Sequence, residues 1–196
     1  MFGTKVITDE NKIDEILSRG VEEVIDKEHL KRRLIKGEKL RVKLGIDPTS
    51  PNIHIGRAVL LWKLREFQDL GHKVVFIVGD FTGQIGDTSD KETERPMLSE
   101  EQVRQNMKNY FEQAFKILNK NNVETHYNSN WLKKLGFLEI GKMADKFGLH
   151  EFSSRELIRK RLEAGKRVSL RELLYPLMQG YDSVAVKADV ELGGTD

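Results

Sequence analysis

The chain has 196 residues, 33 Lys and Arg against 31 Asp and Glu, a net charge of +2 and no cysteine. That length suits one domain with its own core, the near balance of charge gives no bulk signature of a nucleic-acid binder, and disulfides and thiolate metal sites are excluded. No apolar run approaches the roughly 20 residues of a membrane-spanning helix, and Met1-Phe2-Gly3-Thr4 does not begin a signal peptide, so a soluble cytoplasmic protein is expected.

Residues 1–40 read as short helices. Asp26 can cap a helix from Lys27 to Lys36 that Gly37 stops. Arg41 to Ile46 alternates charged and apolar residues, as a strand does. Asp47-Pro48-Thr49-Ser50-Pro51-Asn52 is a loop. From Gly56 to Leu70 the period becomes helical, with Leu60, Leu64 and Phe67 on one face and Gly71 ending it. Val74 to Val78 is an unbroken apolar run, which fits a strand buried on both faces of a parallel sheet. Strand, helix, strand is one βαβ unit, so an α/β fold follows.

Phe81 to Met97 is a long loop rich in Gly, Asp, Thr and Ser, a length associated with function or mobility. Ser99 and Gln102 form a capping box. The helix behind it carries Val103, Met107, Phe111, Ala114 and Leu118 on one face. Val123 to Tyr127 is a third strand. Trp131 to Gly165 reads as helical, interrupted at Gly136, Gly141 and Gly148. Ser169 and Glu172 form a second capping box, opening a helix through about Ser183. Val190 to Leu192 is a short strand, and the chain stops in Gly193-Gly194-Thr195-Asp196, which reads as a portion of a longer chain.

Three places can carry chemistry. Gly45-Ile46-Asp47-Pro48-Thr49 and then His54-Ile55-Gly56-Arg57 join the first strand to the helix after it. Ligands gather at the carboxyl ends of strands in open α/β sheets, and a helix N-terminus there suits phosphate. Gly56 lets a nucleotide lie close to the backbone, and His54 can donate to a phosphate oxygen, although an isolated His-x-Gly is also an ordinary turn. Tyr175, Gln179 and Asp182, spaced four and three apart, share one helical face. Such a stripe is either solvated or aimed at a polar ligand. A hydroxyl, an amide and a carboxylate together suit a small zwitterion with a polar tail. Gly86-Asp87 in the long loop and Asp80 at the end of the second strand are weaker candidates, since Asp is common in turns. Lys31-Arg32-Arg33 and Arg155-Arg159-Lys160-Arg161 read as solvated helix faces, the second also able to meet a nucleic-acid backbone. No zinc spacing, Ser-His-Asp set or Walker loop is present.

Gly45-Ile46-Asp47-Pro48-Thr49 with His54-Ile55-Gly56 resembles the Gly-x-Asp-Pro-Thr and "HIGH" signatures of class I tyrosyl-tRNA synthetases. Tyr175-Pro-Leu-Met-Gln179-Gly-Tyr-Asp182 resembles that family's tyrosine-binding helix. Leu192-Gly-Gly-Thr-Asp196 is similar to its ribose motif, one residue short, and Arg19-Gly20-Val21-Glu22-Glu23 fits its N-terminal helix. The resemblance runs over nearly the whole chain and in the family's order. Tryptophanyl relatives share the fold without this Tyr-Gln-Asp stripe.

The resemblance implies a Rossmann-like parallel sheet flanked by helices, with a helical connective insertion over 131–168 that carries a homodimer interface. It implies tyrosine activation by ATP, with Mg2+ on the phosphates, and transfer to tRNA(Tyr). Asp182 would receive the phenol hydroxyl, and Tyr175, Gln179 and Asp87 would surround the ammonium. Thr82 would line the pocket, and Lys43 stands where many members put a tyrosine near the substrate hydroxyl. Gly45, Asp47, Thr49, His54 and Gly56 fall on the ATP side, and Gly194 and Asp196 on the ribose. His54, Thr49 and Arg57 are the candidate catalytic residues.

Arg57 departs from the second histidine of "HIGH", and Gly86-Asp87-Thr88-Ser89-Asp90 departs from the usual Gly-Asp-Pro-Ser-Gly. The family's "KMSKS" loop and anticodon-binding domain have no counterpart in residues 1–196, so this piece alone is expected to bind tyrosine and activate it poorly. A nucleotidylyltransferase of the same fold, or a non-catalytic RNA-binding relative, are the alternatives.

Overall fold

This computed structural model describes residues 5–86, 96–153 and 156–194. Two capped helices open the chain. Asp9 accepts the Lys12 amide at the start of α1 (Glu10–Ile16), and Asp26 accepts the His29 amide at the start of α2 (Lys27–Ile35). Gly37, at a φ of 73°, turns the chain out of α2 in the left-handed region where glycine is favoured.

Four parallel strands follow, β1 (Arg41–Ile46), β2 (Lys73–Val78), β3 (Val123–Tyr127) and β4 (Val190–Leu192), in the order β3-β2-β1-β4. Parallel neighbours need crossovers, and helices on both faces bury the central strands. Every residue from Val74 to Val78 is accordingly buried. On one face Val42, Leu44, Val74 and Phe76 pack with Leu61, Leu64 and Phe67 of α3 (Ile55–Asp69) and with the first two helices. On the other, Val75 and Ile77 meet Val186, just past α11 (Leu170–Ala185). This is the α/β layout that the sequence pattern predicts.

Several details differ from the sequence expectation. The helix expected to run on from Ser99 is two helices, α5 (Glu100–Met107) and α6 (Tyr110–Ala114). The capping box of Ser99 and Gln102 is present. The break at Lys108-Asn109 lets Tyr110 turn fully inward, where its hydroxyl donates to Ser50 O at 2.7 Å. Gly141 does not interrupt its helix: it lies within α8 (Phe137–Ala144), where Gly136 is the N-cap. The long loop begins with one turn of helix, α4 (Thr82–Ile85). The remaining helices are α7 (Ser129–Leu132), α9 (Leu149–Ser153) and α10 (Glu156–Glu163).

Buried Arg161 at the end of α10 makes a two-point pair with Glu172 of α11, at 2.7 and 3.1 Å. Glu172 Oε1 also accepts the Ser169 amide, completing the second capping box. Arg161 is therefore not on a solvated face, as the sequence reading expected. Lys31 pairs with Asp14, and Arg33 with Glu38 and Asp189. Arg155 lies outside the described residues.

Candidate active site

The loops after β1 and β3 meet α11 at Tyr175 and Asp182. Past Ile46 the chain turns tightly, with the Thr49 amide donating to Asp47 O at 2.9 Å. Arg57, in the first turn of α3, holds this loop from behind. Its guanidinium donates to Asp47 O at 2.7 Å, to Thr49 Oγ1 at 3.0 Å and to the Tyr110 hydroxyl at 3.2 Å. Burial raises the pKa of Tyr110, so its hydroxyl stays protonated and donates to Ser50 O. His54 is the extended N-cap residue of α3, exposed, with no side-chain bond to the helix end. Gly56 is exposed beneath it, and a Cβ there would meet the imidazole at 3.3 Å.

A run of polar side chains joins the strand ends. Asp47 Oδ1 accepts from Thr82 Oγ1 at 2.6 Å, and Oδ2 accepts from the Tyr175 hydroxyl at 2.8 Å. Asn128, directly after β3, donates from Nδ2 to Thr82 Oγ1 at 2.8 Å and to Asp182 Oδ2 at 3.1 Å. Its Oδ1 accepts the Phe81 amide at 2.9 Å. Trp131 Nε1 donates to Asp182 Oδ1 at 2.7 Å. Thr82, Asn128 and Asp182 are all buried, and polar groups so placed need such partners. Gly79, at the tip of β2, is obligatory: a Cβ there would collide with Asp47 Oδ1 and Thr82 Oγ1. Asp182 titrates above the usual carboxylate range because it is buried, with the bonds from Asn128 and Trp131 and the charge of Lys43 opposing that rise.

Lower on the same face of the sheet, Lys43 of β1 is buried and its ammonium contacts Glu191 of β4 at 2.8 Å. Gln179 is exposed, and its side chain turns to Glu191 Oε1 at 3.2 Å. Tyr175 and Asp182 thus point toward the strand ends, and Gln179 toward β4. Gly45, next but one to Lys43 on β1, is exposed, and a Cβ there would only touch Lys43 Cε at 3.9 Å. Gly194 follows β4 and is exposed. Asp87 and Asp196 lie outside the described residues. Asp80 Oδ1 accepts the Ser129 amide at 2.9 Å and so fixes the start of α7.

Asn128, Trp131 and Glu191 were not singled out in the sequence. Asn128 was within reach: it sits on the carboxyl edge of a strand, the argument that raised Asp80. Trp131 and Glu191 carry no periodic signal, and only the strand register brings Glu191 beside Lys43.

Residues 35–196 match the family model of tRNA synthetases class I (W and Y). A tyrosine–tRNA ligase of Dehalococcoides mccartyi is 52% identical over 187 residues, 95% of this chain and 47% of that protein. One of Deinococcus radiodurans is 52% identical over 188 residues, 95% of this chain and 46% of that protein. The chain therefore spans about half the length of the curated relatives it matches. Among solved structures, a C-terminally truncated Coccidioides posadasii mitochondrial tyrosyl-tRNA synthetase superposes with a TM-score of 0.77 at 24% identity, over 94% of this chain and 54% of that one. Tyrosyl-tRNA synthetase from Archaeoglobus fulgidus, complexed with L-tyrosine, gives 0.74 at 21% identity, over 95% and 55%. These two likenesses show the Rossmann-like fold. With about four-fifths of its residues inside the family model, the chain belongs to the class I tRNA synthetases of the tryptophanyl and tyrosyl group.

Proposed function

We propose that this chain forms the tyrosine- and ATP-binding part of a tyrosine–tRNA ligase. The observation that carries the reading is Asp182: a buried carboxylate whose two oxygens are aimed by Trp131 and Asn128, on the same helix face as Tyr175. A phenol hydroxyl donating to Asp182 makes good its loss of water. Phenylalanine leaves that carboxylate without the extra donor, which is unfavourable for a buried charge.

In this reading Tyr175, Gln179 and Asp87 surround the substrate ammonium, with Thr82 in the pocket wall. Gly45, Asp47, Thr49, His54 and Gly56 take the ATP side, and Gly194 and Asp196 the ribose. The tyrosine carboxylate attacks the α-phosphorus in line, and pyrophosphate leaves. A terminal ribose hydroxyl of tRNA(Tyr) then takes the tyrosyl group from the adenylate. Positioning and fixed dipoles supply the acceleration, since the protein forms no bond to the substrate. His54 at the open tip of α3 is placed to donate to a phosphate oxygen. Arg57 serves by shaping the loop that holds Asp47 and Thr49. Mg2+ would arrive with ATP as its counter-ion and would offset the charge that builds on the leaving pyrophosphate.

The helices between 131 and 168 fit a connective insertion with a homodimer face. Phe137 and Leu138 on α8 are 93% and 66% exposed, which supports an apolar contact. No helix among the described residues is long and apolar enough to cross a membrane, in keeping with a cytoplasmic enzyme.

Calorimetry of this chain with L-tyrosine against L-phenylalanine tests the binding half of the reading. Tyrosine-dependent ATP–pyrophosphate exchange by the full-length chain tests the chemistry. Equal affinity for the two amino acids, or exchange without tyrosine, overturns it.

A further inference from the structure

A lysine ammonium has three N–H donors. Lys43 Nζ uses them on Glu191 Oε1 at 2.8 Å, Ser183 Oγ at 3.1 Å and Gln179 O at 3.2 Å. No donor remains for a substrate phenol. The side chain is 1% exposed, so the pairing is the condition for keeping that charge inside.

Glu191 is the hub of this cluster. It stands directly opposite Lys43 in the β1–β4 register, so both side chains leave the sheet on the face that α11 covers. Its carboxylate also accepts from Ser183 Oγ at 2.6 Å and Gln179 Nε2 at 3.2 Å. Three elements are thereby tied at one carboxylate: β1, β4 and the middle of α11. Tyr175 lies one turn before Gln179, and Asp182 is the immediate neighbour of Ser183.

We propose that Glu191 is a positioning residue of the amino-acid site, acting through Lys43, Ser183 and Gln179 to set where α11 presents Tyr175 and Asp182. The inference rests on the tyrosine reading above and deepens it. Phenol recognition then falls on Asp182, and Lys43 belongs to the framework of the pocket. The two charges also act on Asp182 in opposite senses, Lys43 lowering its pKa and Glu191 raising it. Without Glu191 a lone buried ammonium acts on the carboxylate meant for the substrate.

The experiment is ATP–pyrophosphate exchange by the full-length chain, with tyrosine and ATP varied separately. The wild type is measured first: absence of tyrosine-dependent exchange overturns the tyrosine reading itself, and this inference with it. With that activity present, Glu191→Gln raises KM for tyrosine about tenfold, as expected for uncovering a buried charge, and leaves KM for ATP within about twofold. Ser183→Ala removes hydrogen bonds without uncovering a charge, and raises KM for tyrosine about threefold. A Glu191→Gln protein that loses thermal stability but keeps the wild-type KM for tyrosine overturns the inference, because the pair is then only a strut. If Glu191→Gln fails to fold, Ser183→Ala decides: an unchanged tyrosine KM overturns it, and a raised one supports it.

Discussion

The Tyr175 hydroxyl and Asp47 Oδ2 meet at 2.8 Å, across 128 positions of sequence. One residue comes from the helix assigned to tyrosine and the other from the loop assigned to ATP. The two halves of the proposed site therefore share a hydrogen bond. Tyr175→Phe keeps the ring and removes the donor. It is expected to lower stability by about 1 kcal/mol in a urea titration, and to raise KM for ATP as well as for tyrosine.

At Gly79 a single methyl group would reach into the polar run itself. Its Cβ would occupy the position where Asp47 and Thr82 meet. Gly79→Ala is expected to separate that pair and to abolish tyrosine-dependent exchange. Unfolding by denaturant should show a loss of about 2 kcal/mol, the scale of an overpacked core.

Arg57 makes three hydrogen bonds within its own neighbourhood, to Asp47 O, Thr49 Oγ1 and the Tyr110 hydroxyl. Arg57→Met removes all of them while keeping an apolar stem. A stability loss of about 2 kcal/mol is expected in chemical denaturation. Arg57→His is too short to span all three partners and is expected to be destabilised to a similar degree. Stability equal to wild type in both variants would show that the loop stands without this side chain.

Arg161 and Glu172 are 3% and 0% exposed. Glu172→Gln removes the carboxylate charge that meets the buried guanidinium at two points, and a loss of about 3 kcal/mol in thermal or urea unfolding is expected. The capping box at Ser169 loses its carboxylate in the same step.

His72 is buried, with Nδ1 accepting the Leu40 amide at 3.3 Å and Nε2 without a partner among the described residues. Burial, with the nearby charge of Lys39, lowers its pKa from 6.5 to about 4. Between those values the unfolded chain binds a proton that the folded chain does not. This histidine's contribution is therefore complete above its unfolded pKa of 6.5 and is lost as pH falls toward 4. The full difference is about 3 kcal/mol. His72→Asn keeps an acceptor for Leu40 and removes the titration, so its urea midpoint should fall less than that of the wild type between about pH 7 and about pH 5.

The central strands, the two capping boxes and the helix of the stripe were legible because each has a local cause. Val74-Val-Phe-Ile-Val78 has the unbroken apolar character of a doubly covered strand. Ser99 and Gln102 satisfy each other within one turn. The break before Tyr110 was not legible, because its cause is Ser50, 60 positions away. The continuous apolar period from Val103 to Leu118 concealed it. Gly141 is tolerated inside α8 since Phe137, Ile140 and Met143 still follow the helical period around it. Lys43 and Glu191 read as unrelated charges until β4 pairs with β1. Long-range register is the information a single sequence withholds.

The polar run from Trp131 through Asp182, Asn128, Thr82 and Asp47 to Tyr175, buried at Asp182, Asn128 and Thr82, also limits how this pocket can change. At its centre Thr82, Asn128 and Asp182 are buried and bonded to one another, so replacing Asn128 takes a donor from two buried neighbours at once. Acceptance of a different amino acid would therefore demand several substitutions at once, with the intermediates worse than either end. A pocket wired in this way resists gradual drift in substrate choice.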